Sequence, residues 1–369
     1  MVQISGNAMK ICYLANAQSI HTQRWAKHFT TRGADVAVVS FQFDEIEGVR
    51  TICLSSTISV SPFNIVWLLP KMRRTIQKIN PDILHAHYAT SYGLAGVLTG
   101  RHPLIITAWG SDVLIMPEKS WLYRQMVRFS LSRADLITSM AQHMTNHLIK
   151  KGYARTDKII TLPFGVDTGI FNLDHRTANH GMKPSIVIST RHLDHGYDVD
   201  IFIRAIPKIL HSYEDVRFVI VGDGPLRGQL EKLAVSLGVR DHIEFRGKVP
   251  HHDMPRILGR SHVFVTTSPS DGNNVSLNEA MACGVFPVAT NIPANSAWIE
   301  HRRNGLLFPC RDVDQLAEMI IEAIQHPEWR QAAVDMNWQI IQKQASWQIS
   351  MMEMERHYLR LLKKENILM

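Results

Sequence analysis

The chain has 369 residues, 45% of them hydrophobic and 20% charged, with a formal net charge of +7 and a pI near 9.2. That length exceeds one typical core and suits two domains, and the composition excludes a disordered chain. The positive balance favours anionic partners such as nucleotide phosphates or acidic lipids. Nucleic acid is disfavoured, since no finger, basic-region or RNP-type motif occurs. The four cysteines (Cys12, Cys53, Cys283, Cys310) are scattered, without metal or disulfide spacing, which suits a reducing, cytoplasmic location. Ile11 to Ala17 follow Lys10 but form too short an apolar run for a signal peptide, and no stretch reaches the ~20 residues of a membrane span. A soluble protein, at most peripheral on the inner face of the plasma membrane, is expected.

In chain order, Lys10 to Ala15 reads as a buried strand, Ile20 to Arg32 as a helix stopped by Gly33, and Val36 to Ser40 as a second strand. The first strand–helix loop lacks G-x-G-x-x-G, which disfavours a dinucleotide oxidoreductase. Phe63 to Ile79 forms a basic amphipathic helix that Pro70 must kink or divide. It sets Lys71, Arg73, Arg74 and Lys78 beside Trp67, Leu68, Leu69 and Met72, and both an ordinary surface helix and a membrane-surface helix stay open. Pro81 to Tyr88 is the next strand, ending in an H-x-H, His85 and His87, that suits pocket or core histidines better than a metal site. Leu104 to Ala108 runs into Trp109-Gly110-Ser111-Asp112. Leu131 to Thr138 leads into a further strand and Lys158 to Leu162 into another, and Phe171 to Lys183 reads as an interdomain linker.

The second half restarts with a strand at Ser185 to Thr190, followed by Arg191. Val216 to Val221 leads into the turn Gly222-Asp223-Gly224-Pro225 and a helix from Leu226 to Leu237. Ile243 to Val249 gives a short strand and turn. The apolar run His262 to Thr266 then enters the densest stretch, Ser268-Pro269-Ser270-Asp271-Gly272-Asn273-Asn274, which is rich in turn formers. Ser276 is a suitable N-cap, with Glu279 three residues on completing a capping box, and Gly284 sits where a left-handed stop belongs. Helix-start amides facing such a loop suit a phosphate or a sugar hydroxyl. Read locally, the carboxylates of Asp271 and Glu279 could equally serve only to cap the helix.

Asp271-x7-Glu279, Ala280-Met281-Ala282-Cys283-Gly284 and Val288-Ala289-Thr290 resemble the signature of retaining family-4 glycosyltransferases, with Asp in place of the usual first Glu. Ser19-Ile20-His21-Thr22-Gln23-Arg24-Trp25 resembles a subgroup with an IHT-x-R-W signature. Pro81 to Tyr88 resembles the PDIIHAH element, Pro163 to Asp167 the PNGVD turn, Gly222 to Pro225 the GDGP turn, and Asn304 to Phe308 the NGLL(F/V) element. Two departures stand out. Trp109 replaces a usual His, so it either stacks on a sugar or belongs to the core, and Gly196 or Tyr197 falls where a phosphate-binding Lys is expected.

The resemblance implies an α/β, GT-B fold: two doubly wound parallel-sheet domains facing a cleft, with a C-terminal helix crossing back to the first domain. The expected boundaries are 1–172 with 346–369 for the acceptor side and 184–345 for the nucleotide-sugar side. It implies retaining transfer from a UDP- or GDP-sugar to a saccharide or lipid-linked saccharide, in surface polysaccharide or lipopolysaccharide synthesis. Asp271 and Arg191 are then catalytic. Glu279 holds the ribose, and Gly272, Asn273, Asn274, Val275, Ser276, Gly222, Gly247 and Val249 complete the donor site. His87, Trp109 and Asp112 face the acceptor. No metal or other cofactor is expected, the nucleotide sugar being a substrate, and an anionic membrane surface is a further expected partner. A sugar-nucleotide epimerase of the same fold and an inactive nucleotide-sugar-binding protein are the alternatives.

Overall fold

The computed structural model describes residues 3–4, 7–54, 62–177 and 184–368. The chain forms two units, Met1–Phe164 with Met351–Met369, and Gly165–Ser350.

The first unit holds strands β1 (Lys10–Leu14), β2 (Asp35–Ser40), β3 (Arg50–Cys53), β4 (Ile83–His87), β5 (Leu104–Ala108), β6 (Leu136–Ser139) and β7 (Ile159–Thr161). All pair in parallel, in the order β3-β2-β1-β4-β5-β6-β7. Strands covered on both faces read as continuous apolar runs rather than alternating ones, and β4 and β5 are buried at every position. The order reverses between β1 and β4, so a crevice opens beyond their carboxyl ends. His87 ends β4, and Trp109 directly follows β5.

The second unit repeats the plan with β8 (Ser185–Ser189), β9 (Val216–Val221), β10 (Ile243–Gly247), β11 (Val263–Thr266), β12 (Phe286–Thr290) and β13 (Leu306–Phe308). The order is β10-β9-β8-β11-β12-β13, again parallel throughout. Its switch point lies between β8 and β11. Arg191 follows the first of these strands and Asp271 the second.

Several details differ from the sequence reading. The units divide at Gly165, because Val166 N–H donates to Ala345 O at 2.6 Å and Trp347 N–H to Val166 O at 2.8 Å. Gly165 has φ +74°, and an added Cβ would lie 2.7 Å from the Trp347 backbone. The stretch read as a linker begins inside a core: Phe171 is fully buried, and Thr177 N–H donates to Gly259 O. Residues 178–183 of that stretch lie outside the described residues. Pro70 does not divide its helix, which runs from Pro62–Ile79. The C-terminal helix Trp347–Leu368 joins the first unit from Met351 onward. There Tyr358 Oη hydrogen-bonds Tyr13 Oη at 3.1 Å and His85 Nδ1 at 2.7 Å, all three side chains being buried. Among the described residues no helix is long and apolar enough to cross a membrane.

Candidate functional site

In the second unit the loop after β11 feeds the helix Val275–Ala282. Its N-cap is Asn274 rather than Ser276, which lies in the first turn. The reason is chemical. Asn274 Oδ1 accepts from Leu277 N–H at 3.2 Å and from Arg191 Nη1 at 2.9 Å, while its amide nitrogen donates to Asn295 Oδ1 at 2.9 Å. The same amide nitrogen also donates to Thr266 Oγ1 at 3.3 Å, and a serine hydroxyl, with a single proton, could not make both donations; a cap of this kind is worth about 1 kcal/mol. Glu279 does not complete a capping box either, because it turns to His251 Nε2 at 2.7 Å. Gly284, φ +74°, supplies the left-handed stop read from the sequence.

Arg191 is the centre of this site. Its Nη2 lies 2.5 Å from Asp271 Oδ2, with both side chains largely buried. Its guanidinium carbon sits 4.4 Å from the centre of the Tyr197 ring, and its Nε–H is buried without a partner. The fork is thus held on two sides, with two of its five N–H donors engaged. Asp271 Oδ1 also accepts from Asn273 N–H, and Val275 N–H is taken by Asn273 O. Among the described residues the amides of Gly272, Asn274 and Ser276 remain without an internal acceptor, at the positive end of the helix.

The turn after β9 packs against the Arg191 loop. A Cβ on Gly222 (φ +143°) would meet Arg191 O at 2.1 Å, and one on Gly224 would meet Leu193 O at 2.4 Å. Gly222 thus acts through close backbone approach, and its N–H donates to Gly247 O at 2.9 Å. Val249, just beyond β10, lines an open depression of about 650 Å³ together with Lys248 and Arg256.

The first unit carries a different kind of site. A cavity of about 280 Å³ opens at its switch point. Asn16 and Gln42 bring amides, Ser19 and Ser91 hydroxyls, and Tyr88, Tyr92 and Trp109 aromatic rings, with His87 beneath them. His87 is buried, and desolvation, then the neighbouring His21, holds its pKa down at about 3. Neither of its ring nitrogens has a hydrogen-bond partner, nor has the buried Trp109 Nε1. Trp109 packs edge-on to Phe164 at 5.3 Å and against His87 at 5.6 Å, yet stays half-buried and lines the cavity.

Asp112, expected beside the acceptor, lies beneath that surface. It is fully buried, and its two oxygens accept from the Ala89, Trp109 and Gly110 amides at 2.7, 3.0 and 2.9 Å. Burial raises its pKa, and the backbone donors oppose the shift. Asp112 ties the loop after β5 to the loop after β4 and positions Trp109. The other histidine of the H-x-H belongs to the core, with His85 Nε2 2.6 Å from Thr107 Oγ1. Among the described residues no group of three or more His, Cys, Asp or Glu is placed to hold a metal ion.

The structure therefore gathers Arg191, Asp271 and Asn274 at one switch point, with Glu279 further along the same helix. It gathers His87 and Trp109 at the other. Three members escape the linear motif: Tyr197 under Arg191, His251 on Glu279, and Asn295 behind Asn274. Tyr197 stands where a lysine was expected, and that was the available signal. His251 follows Val249-Pro250 at the end of a strand, a place that suits site residues.

Residues 10–141 match the family described as "Glycosyl transferase 4-like", and residues 171–337 match "Glycosyl transferases group 1". N-acetyl-alpha-D-glucosaminyl L-malate synthase of Bacillus anthracis is 24% identical over 82% of this chain and 80% of its own length. The GDP-mannose-dependent alpha-(1-6)-phosphatidylinositol monomannoside mannosyltransferase of Mycobacterium tuberculosis is 26% identical over 84% of this chain and 81% of its own length. Anabaena HepE, solved in complex with UDP and glucose, superposes with a TM-score of 0.77 at 18% identity, covering 96% of this chain and 100% of that one. With both halves matched in this order on two doubly wound parallel sheets, the chain has the two-domain GT-B fold, its first unit similar to the 4-like glycosyltransferase family and its second to the group 1 family.

Proposed function

We propose that this protein transfers a hexosyl or N-acetylhexosaminyl group from a UDP- or GDP-sugar to a hydroxyl of a saccharide or lipid-linked saccharide, with retention at the anomeric carbon. The observation that carries this reading is the Arg191–Asp271–Asn274 constellation at a helix start. Breaking the glycosidic bond builds charge on the departing diphosphate. The Arg191 guanidinium and the open amides of Gly272, Asn274 and Ser276 are the groups suited to stabilise it. In this reading Asp271 fixes the guanidinium and orients hydroxyls of the donor sugar. Glu279, steadied by His251, holds the ribose, and the backbone near Gly247 and Val249 receives the base. The departing phosphate assists deprotonation of the attacking hydroxyl on the same face, which gives retention without a protein nucleophile. No metal is required, and turnover should survive chelation by EDTA.

The UDP complex of HepE and the GDP-mannose-dependent mycobacterial mannosyltransferase support both donor types, and the latter acts on a phosphatidylinositol-based acceptor. Surface polysaccharide or lipopolysaccharide assembly in the cytoplasm, at the inner face of the plasma membrane, is the setting we favour. In the first unit the helix Pro62–Ile79 exposes 82% of Trp67 beside the exposed Arg74 and Lys78, and the helix Trp121–Arg133 exposes 69% of Trp121 near Arg124 and Arg128. Lys71 and Arg73 are partly occupied, donating to the Leu54 and Leu98 carbonyls. Each basic residue close to an acidic leaflet contributes about 1 kcal/mol, so binding to anionic vesicles should be weak and lost at high salt.

The test is a panel of UDP- and GDP-hexoses screened by thermal shift, followed by product analysis with acceptor present. One donor should raise the midpoint and yield an acceptor-dependent product with unchanged anomeric configuration. Sugar isomerisation without acceptor would identify an epimerase, and stabilisation without any consumption would identify a binding protein.

A further inference from the structure

We propose that the cavity at the switch point of the first sheet binds one uncharged sugar ring of the acceptor and rejects acceptors bearing a phosphate or carboxylate on that ring. The inference deepens the glycosyl-transfer reading above and rests on it.

The cavity is small, about 280 Å³, at the lower end for ligand sites, which suits a single ring rather than an oligosaccharide. None of its lining side chains carries a charge at neutral pH. Asn16 and Gln42 offer amides that both donate and accept, matching hydroxyls that do the same. Tyr88, Tyr92 and Trp109 offer flat apolar faces for the C–H face of a sugar. His87 is the one titratable cation in the lining, and its burial leaves it neutral. The nearest carboxylate beneath the surface, Asp112, is already held by three backbone N–H groups.

An anion entering here would give up its hydration and meet no cation, a cost that amides alone do not offset. A neutral polyol loses far less and gains partners. The Trp109 Nε1 and both ring nitrogens of His87 are buried without a partner just behind the lining, so no charged group stands behind it there either. The contrast with the second unit sharpens the point, because there a guanidinium and open helix-start amides lie at the switch point.

Saturation-transfer NMR on the full chain tests the inference. The probes are methyl α-glycosides of glucose, mannose, galactose and N-acetylglucosamine, against glucose 6-phosphate and glucuronate. At least one neutral glycoside should bind, with the anionic sugars about tenfold weaker or undetected. Trp109→Ala should remove the neutral signal, and Gln42→Lys should raise binding of glucose 6-phosphate by placing a cation in the lining. Equal or tighter binding of the anionic sugars to the wild type overturns the inference. So does the absence of all neutral binding in a chain that UDP or GDP still stabilises, an outcome that leaves the transferase reading intact. If neither nucleotides nor sugars bind, both readings fall together.

Discussion

The two switch points of this molecule are built on one topology and furnished in opposite ways. In the second unit the strands deliver Arg191, Asp271 and a helix start with open amides, a largely buried charged site. In the first unit the equivalent place is lined by amides, hydroxyls and aromatic rings over a neutral His87. The difference fits the chemistry proposed above for each end. A diphosphate leaving group develops charge and needs a fixed cation. An acceptor sugar has to be held in register, and uncharged polar and aromatic groups do that without trapping an ion. The fold supplies the place, and the residues grafted at the strand ends decide the work.

The largest expected effect comes from removing the cation. Arg191→Met should lower kcat by about 10²–10³-fold, in the range seen when one preorganised donor is lost from a site of developing charge. Since the change strands Asp271 in a largely buried position, stability must be followed alongside, and Arg191→Lys should restore part of the rate without the fork geometry. A fall in kcat below threefold would break the assignment of charge to this end.

Next in size is a split between the carboxylates. Asp271→Asn should act mainly on kcat and Glu279→Gln mainly on the KM for the donor, each by about tenfold or more. His251→Ala should copy the Glu279 change in weaker form, because His251 touches Glu279 and acts through it. Equal effects of all three on kcat alone would contradict the division of roles.

At the neutral end, Trp109→Ala should cost about 1–3 kcal/mol of transition-state stabilisation while the thermal midpoint holds. A lower midpoint with normal activity per folded molecule would make Trp109 a core residue instead.

The smallest effect at neutral pH is electrostatic. Burial holds His87 near 3 against an ordinary 6.5, and His85 is shifted in the same direction for the same cause. Above pH 6.5 these rings are neutral in the folded and unfolded states alike. As pH falls from 6.5 toward 3 only the unfolded chain takes up the proton at position 87, so stability declines through that window and levels off below it. His87→Gln should flatten the decline in urea midpoint between pH 6.5 and 4. An unchanged slope would place the acid sensitivity elsewhere.

Much of this was legible in the sequence, for physical reasons. Buried parallel strands are continuous apolar runs, so β4, β5, β9 and β11 could be read almost to the residue. The Asp271–Glu279 segment is linear, and its loop, helix and left-handed stop are local properties. The cap was misplaced because Asn274 and Ser276 are both good capping residues, and the choice depends on Arg191 and Asn295, which are remote in sequence. Tyr197 and His251 were hidden for the same reason, each meeting its partner through the ends of separate strands. The unit boundary at Gly165 was read too late because the backbone pairing that sets it joins Val166 to Ala345 and Trp347.

The division of labour between the two ends can be measured directly by titrating UDP and GDP, without a sugar, into the wild type, Arg191→Met, Glu279→Gln and Trp109→Ala by calorimetry. Nucleotide affinity should fall about tenfold or more in the first two variants and stay within about twofold of wild type in the third. Loss of nucleotide binding in Trp109→Ala as large as in Arg191→Met would contradict the account.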